Sequence, residues 1–349
     1  MNPANTAQRF GQLVLDQLAS HCAPPRTVER LVAQSCLRLL DSAIIIEDDF
    51  SPFSSPVQSG AAGEQSPLPQ TDAIESVLEN IGREGFAPHF HHLVNQFGSI
   101  LVSLSANDSQ LEKLGQWASK GASGCFLMTD RGGPSLQNWH TRVEKKDGED
   151  HLSIDKVWGI EAHRDNFLFV AARKGNAFFP SLYLIDPDRA RTLKRTKIGG
   201  PFLDGHLQLG NVSGSVPVAA EDQLTKGGLA GVTRLLTTIR PRFVRGIMQH
   251  LTWLEDQERL LRSASHTEIR HYIQSVAKSI CEQTQIDRHL IDKVLALKFL
   301  SNEFLVQLVG DQQLPNLGDQ RDALGFTKME GSSYRCFFEL YNKYRAHRA

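Results

Sequence analysis

With 349 residues, 40% of them apolar and 22% charged, the chain is long enough for one large core or two to three smaller ones, and its composition is that of an ordinary globular protein. Its 38 basic and 39 acidic residues leave a formal net charge of −1, which excludes a global electrostatic pull toward nucleic acid or a membrane surface. Five scattered cysteines (Cys22, Cys36, Cys125, Cys281 and Cys336) include no Cys-x-x-Cys pair, so they give no sign of a disulfide framework or a zinc site. Together with a start that lacks a basic-then-apolar block and with no apolar run of membrane length, this predicts a soluble cytoplasmic protein.

Along the chain, "AQRFGQLVLDQLASH" and "TVERLVAQSCLRLLDSAIII" place apolar residues at three- and four-residue steps and predict two helices. The stretch 48–72 is rich in Ser, Pro, Gly and Gln and predicts a mobile excursion or lid. Helical period resumes in "DAIESVLENIGREG" and "HHLVNQFGSILVSL". The period then changes. "GCFLMT", "NWHTRVEKK", "HLSIDKVW", "NFLFVAAR", "SLYLID" and "HLQLGNVSGSVPV" are short, strand-like runs separated by Gly, Asp and Pro. From about Glu221 to Val309 the pattern is helical again, whereas the stretch from Arg321 to Glu330 shows no clear period. Helices, then strands, then helices predict an α+β protein, not a doubly wound parallel sheet. The expected division is 1–120, an N-terminal helical domain carrying the loop 48–72; 121–220, a small middle β domain; and 221–349, a C-terminal helical bundle.

No Gly-x-Gly-x-x-Gly or P-loop is present. "PHFHH" concentrates His89, His91 and His92, but their spacing does not bring all three to one helix face, so no metal site is expected. "FLMTDRGGPSL" reads as a strand entering a Gly-rich turn. It is either a plain connection or a place where backbone N–H groups and the hydroxyls of Thr129 and Ser135 meet a polar cofactor. Trp158, at a strand end, reads by itself as a core or interface residue. "EGSS" (Glu330 to Ser333) reads as a helix start, with Ser332 or Ser333 as cap and Glu330 at the positive end of the dipole, or as a catalytic corner. The late basic residues Lys328, Arg335, Lys343, Arg345 and Arg348 read as a solvated helix face.

Taken together and in order, these segments resemble the acyl-CoA dehydrogenase family. "FLMTDRGGPS" is similar to its strand ending in Thr-Glu-Pro-Gly-Ala-Gly-Ser, and "KVWGIEAH" to its Lys-x-Trp-Ile-Thr-Asn-Gly segment. "IRPRFVRG" resembles the Arg-Pro part of its first long C-terminal helix, and "ERLLRSASHTEI" its Glu-Arg-x-x-Phe-Gly turn. "VQLVGDQ" resembles Val-Gln-x-Leu-Gly-Gly, and "RDALGFTKMEGSS" matches Arg-Asp-Ala-x-x-x-x-x-Tyr-Glu-Gly-Thr-Ser. The likeness runs from about Asn95 to the end.

The resemblance implies α,β-dehydrogenation of an acyl thioester, carried by coenzyme A or an acyl-carrier protein, with FAD as hydride acceptor. Glu330 is then the base for the α proton. A weak carbon acid requires a base of raised pKa and donors for the developing enolate. Some family members carry the base just before the Arg-Pro arginine; here that residue is Ile239, which accepts no proton, while Arg240 remains to orient the Glu330 loop. By the same resemblance Thr129, Ser135, Trp158, Gly331 and Ser332 meet the cofactor. Arg259 and Gln307 reach the dinucleotide of a neighbouring subunit, implying a homodimer or homotetramer, and an electron-transfer flavoprotein is the implied acceptor. The departures are Asp130-Arg131 for Glu-Pro, Leu136 after Ser135, Arg262 and Ser263 for Phe-Gly, Asp311 for the second Gly, and Gly159-Ile160-Glu161 after Trp158. This last change removes a flavin-facing hydroxyl and predicts an uncompensated negative charge at Glu161. The alternative is therefore a scaffold of this family that binds an acyl thioester or a protein partner without oxidising it.

Overall fold

The computed structural model describes residues 3–19, 22–43, 66–67, 71–133, 136–164, 166–175, 180–226 and 228–346. By contacts these residues fall into two units: residues up to 89 together with those from 236 on, and residues 90–235.

The first unit is a helical assembly of α1 (Pro3–Leu18), α2 (Arg26–Ala43), α3 (Asp72–Glu84), the greater part of α7 (Gly228–Asp256), α8 (Ala264–Cys281), α9 (Arg288–Gly310), α10 (Leu317–Phe326) and α11 (Ser333–Ala346). Two short strands, β1 (Ser66–Pro67) and β10 (Gln285–Ile286), pair antiparallel. Helices α1 and α3 bury one stripe each: Phe10, Val14 and Leu18 on the first, Ile74, Leu78 and Ile81 on the second. That is the three-and-four spacing of an amphipathic helix. Helix α9 differs, because Leu295 to Leu305 are buried on every face. A helix apolar on nearly all sides belongs at the centre of a bundle, where neighbours cover it all round. The polar residues caught in this run (Lys298, Ser301, Asn302 and Glu303) are buried with it.

The second unit holds α4 (Phe90–Ser105), α5 (Asp108–Ser119), the short α6 (Pro187–Arg191) and the strands β2 (Gly124–Leu127), β3 (Arg142–Lys146), β4 (Glu149–Ile160), β5 (Phe167–Lys174), β6 (Ser181–Ile185), β7 (Lys194–Phe202), β8 (Leu207–Pro217) and β9 (Gln223–Leu224). Strand order is β7-β8-β4-β3-β5-β6-β9, with β2 pairing parallel to β5. Along β5 successive side chains go to opposite faces. Leu168, Val170 and Ala172 join Leu127, Ile154 and Val212 in one core, while the Phe167 ring packs at a tilt against Trp117 of α5, with centroids 5.6 Å apart. Gly124 opposes Phe167, and a Cβ there would lie 2.5 Å from the ring, so the close approach of β2 requires glycine.

Several elements lie outside the sequence expectation, among them α5, β7 and α10. Helix α5 is opened by a capping box between Asn107 and Gln110 and buries only Gln110 and Leu114. Strand β7 has no buried residue and carries Lys194, Arg195 and Lys197, which suits an edge and hides its period. Helix α10 occupies part of the stretch that shows no period, because it is fixed by polar contacts. Asn316 Oδ1 caps it at Gly318 N (2.7 Å), and its buried positions include Asp319 and Asp322, while Leu317 and Leu324 are exposed. The loop 48–72 lies mostly outside the described residues. Its part at Ser66–Pro67 forms β1, and α3 starts at Asp72.

One polar knot fixes the β unit. The fully buried carboxylate of Asp130 accepts N–H bonds from Gly132 (2.9 Å), His140 (2.9 Å) and Thr141 (3.0 Å), and Lys156 Nζ stands 3.4 Å away over the Trp139 ring. Burial works to raise the Asp130 pKa, but these bonds and the Lys156 charge outweigh it and hold the carboxyl below its usual range. Burial lowers Lys156 to about 8 against the pull of Asp130. The aspartate that departs from the family pattern is thus the anchor of its own turn. Asp130→Ala is expected to destabilise the protein by about 3–5 kcal/mol, since it takes the buried carboxylate from Lys156, which keeps only the Met128 carbonyl as acceptor, and leaves three N–H groups without theirs; urea unfolding measures this.

Candidate active site

Three helices meet at the loop between α10 and α11. From α7, Arg240, buried, directs Nε to the backbone oxygen of Glu330 at 2.7 Å. From α9, Asn302 Nδ2 donates to the backbone oxygen of Gly331 at 3.0 Å. At the head of α11, Ser332 Oγ accepts the Arg335 N–H at 3.2 Å and caps the helix. The cap and the candidate catalytic corner are one structure. Glu330 and Gly331 lie at φ of 56° and 115°. Glu330 therefore holds a left-handed backbone that costs a non-glycine residue about 1 kcal/mol or more. Gly331 is required twice over, by its φ and because a Cβ would come within 3.1 Å of Arg240 Nη2 and 3.4 Å of Cys336 Sγ.

The Glu330 side chain is half-buried. Desolvation pushes its carboxyl above the ordinary range, and the charges of Arg240 and Lys298 oppose that rise without cancelling it. Lys298 has no exposed surface, and burial lowers it to about 8. The Cys336 thiol, also buried, is pushed up by desolvation and stays neutral. Of the residues expected from the sequence, Glu330, Arg240, Gly331 and Ser332 come together here, and with them lie Lys298, Asn302 and Cys336, which the sequence motifs did not point to. A signal existed: Lys298 and Asn302 interrupt the apolar run "VLALKFLSNEFL", where a polar side chain has to be buried.

The remaining predicted residues lie elsewhere. Thr129 is exposed, and its carbonyl accepts the Val157 N–H at 3.0 Å. The neighbouring Trp158 sits in a bulge of β4 at φ 59° and is 57% exposed. An exposed indole beside a hydroxyl residue fits the flat, polar-edged ring of a flavin. Ser135 lies outside the described residues. Arg259 closes on Asp319 with two hydrogen bonds (3.0 and 2.6 Å), and Gln307 Nε2 donates to Asp311 at 3.2 Å, as does the ring nitrogen of His266 at 3.0 Å. In this arrangement the Arg259 fork, which would suit a diphosphate, is turned on a carboxylate of its own chain. His89 meets Glu84 at 2.8 Å and His91 meets the His206 carbonyl at 2.7 Å.

Glu161 corrects an expectation. Its charge is compensated: Arg164 Nε lies 2.8 Å from Oε2, and the Gln208 N–H donates to Oε1 at 2.8 Å. Its φ of 52° turns the chain so that the carboxylate folds back against β8.

No protein-family model and no curated protein matches the sequence. Solved structures do match the fold. Butyryl-CoA dehydrogenase from Megasphaera elsdenii superposes with a TM-score of 0.63 at 13% identity, over 99% of this chain and 98% of that one. The chain has an acyl-CoA dehydrogenase-like fold. Glutaryl-CoA dehydrogenase from Mycobacterium smegmatis gives a TM-score of 0.54 at 15% identity, covering 99% and 87% of the two chains. Nitroalkane oxidase from Podospora anserina gives 0.55 at 12%, covering 97% and 94%. At these identities the likeness concerns the fold, so any chemistry of this acyl-CoA dehydrogenase-like chain has to be argued from its own residues. No helix among the described residues is long and apolar enough to cross a membrane.

Because the Glu330 carboxyl is raised in the folded protein, the native state holds that proton more tightly than the unfolded chain does. Its contribution to stability is present below the ordinary glutamate pKa and is lost as pH rises through the folded value. Glu330→Gln is therefore expected to stabilise the protein more at pH 7.5 than at pH 4. Paired thermal melts at the two pH values read the difference.

Proposed function

We propose that the protein removes the α proton of an acyl thioester with Glu330 and completes an α,β-dehydrogenation. The observation that carries this reading is a half-buried carboxylate of raised pKa on a left-handed loop held by Arg240 and Asn302. A raised pKa brings the base closer to a weak carbon acid, and the fixed loop limits reorganisation during proton transfer. Glu330 takes the proton from Cα, the C–H electron pair becomes the Cα–Cβ double bond, and the β hydrogen departs with its own pair. Ile239, buried ahead of Arg240, offers no competing base. The chemistry that FAD supplies when bound is acceptance of that β hydride. Thr129 and Trp158 would hold its ring, with Ser135, Gly331 and Ser332 as further contacts. Arg259 and Gln307 would serve the dinucleotide of a neighbouring subunit only after releasing Asp319 and Asp311.

The fold likeness to flavoprotein dehydrogenases supports FAD and an acyl thioester as the cofactor and substrate class. Among those neighbours, one glutaryl-CoA dehydrogenase is in complex with FADH2 and another with glutaryl-CoA. Coenzyme A or an acyl-carrier protein as carrier, a homodimer or homotetramer, an electron-transfer flavoprotein as acceptor and a cytoplasmic setting complete the proposal. So does the three-part division at 120 and 220. Nucleic acid is not a partner in this reading, nor is a membrane.

The second reading, a non-oxidising scaffold, is favoured by the Arg259–Asp319 pair and by the loss of the flavin-facing hydroxyl after Trp158. Visible absorption of the purified protein, before and after addition of FAD, separates the two. Stoichiometric flavin bands that bleach with an acyl-CoA are expected, with bleaching slowed about 100-fold or more in Glu330→Gln while the bands persist. Colourless protein that takes up no FAD would leave the scaffold reading.

A further inference from the structure

The Glu330 loop is held on one side by a side chain whose own orientation is dictated by a buried cation. Lys298 Nζ donates to Asn302 Oδ1 at 2.7 Å and to the Phe326 carbonyl at 3.2 Å, and it lies 5.1 Å from the centroid of the Phe243 ring. An ammonium has only donors and a backbone carbonyl has only acceptors. Asn302 stands between the two, so its oxygen must face Lys298 and its NH2 must face Gly331. The amide has no second satisfactory orientation.

The same ammonium also ties both ends of the loop. Phe326 closes α10, Gly331 leads into α11, and both carbonyls are fixed from one point on α9, directly by Lys298 and through Asn302. The charges acting on Glu330 are those of Arg240 from α7 and Lys298 from α9, and the buried Cys336 thiol of α11 lies against the neighbouring Gly331. Two cations thus oppose the desolvation of one carboxylate. A buried lysine is costly, and methionine would fill similar space. Bundle packing alone does not account for its presence.

Building on the assignment of Glu330 as base, we infer that Lys298 and Asn302 form a positioning relay for it. Asn302 holds Gly331, and with it the left-handed turn. Lys298 fixes Asn302 and supplies a stationary positive charge that favours the ionised, proton-accepting form of Glu330. Neither residue is asked to touch the substrate.

The test uses the full-length protein and needs no turnover. Carboxyl 13C NMR of glutamate-labelled protein follows the titration of Glu330, identified as the signal missing from Glu330→Gln. Hydrogen exchange by mass spectrometry follows the amides of residues 329–333. Asn302→Ala is expected to speed exchange in that segment at least about fivefold, the worth of one hydrogen bond, with a smaller effect on the Glu330 midpoint. Lys298→Met is expected to speed exchange as well and to move the Glu330 midpoint to higher pH. Unchanged exchange in Asn302→Ala overturns the relay, as does an unchanged midpoint in folded Lys298→Met. If Lys298→Met does not fold, Asn302→Ala decides alone. These readouts respond to the relay whether or not any acyl thioester reacts, so its failure is distinct from failure of the dehydrogenase reading.

Discussion

A lysine with no exposed surface, inside a helix covered on every face, is the constraint around which the helical unit is arranged. Helix α9 is buried because its sequence is apolar almost all round, and Lys298 is carried inward with it. A buried ammonium must find acceptors or lose its proton. It finds Asn302 and the last carbonyl of α10, and these contacts bring the turn before α11 against α9. Arg240 reaches the same turn from α7. What results is a carboxylate on a strained, glycine-supported corner, desolvated yet facing two cations.

The β unit repeats the logic with other residues. Asp130 and Lys156 are fully buried, and the aspartate gathers the N–H groups of the turn that follows β2. With that turn sealed inward, the bulge in β4 leaves Trp158 and, beside it, Thr129 on the surface. In each unit a buried charge pair or cluster stabilises an irregular piece of backbone. Both irregular pieces carry the residues for which chemistry is proposed.

The helices, the main strands and the α+β order were legible because they follow apolar period, and α1, α3 and β5 display it plainly. Elements held by polar contacts were not. Helix α10 has buried aspartates where a stripe would be, and β7 is a charged edge. Glu330, Gly331 and Arg240 could be found because a short motif joins them to a family. Lys298 and Asn302 belong to no such motif, and their partners are backbone carbonyls 28 and 29 residues away. Glu161 was misread because its compensation comes from Arg164 and from the backbone of β8, which spacing from Trp158 does not reveal.

The central claim is that Glu330 is a base for the α carbon of an acyl thioester, and proton exchange tests it without requiring hydride transfer. Butyryl-, octanoyl- and palmitoyl-CoA would be incubated with the protein in D2O and loss of the α-proton signal followed by NMR. The account expects exchange with at least one of these chain lengths and at least about 100-fold slower exchange with Glu330→Gln. Absence of exchange with all three, or equal exchange by the glutamine variant, would contradict it.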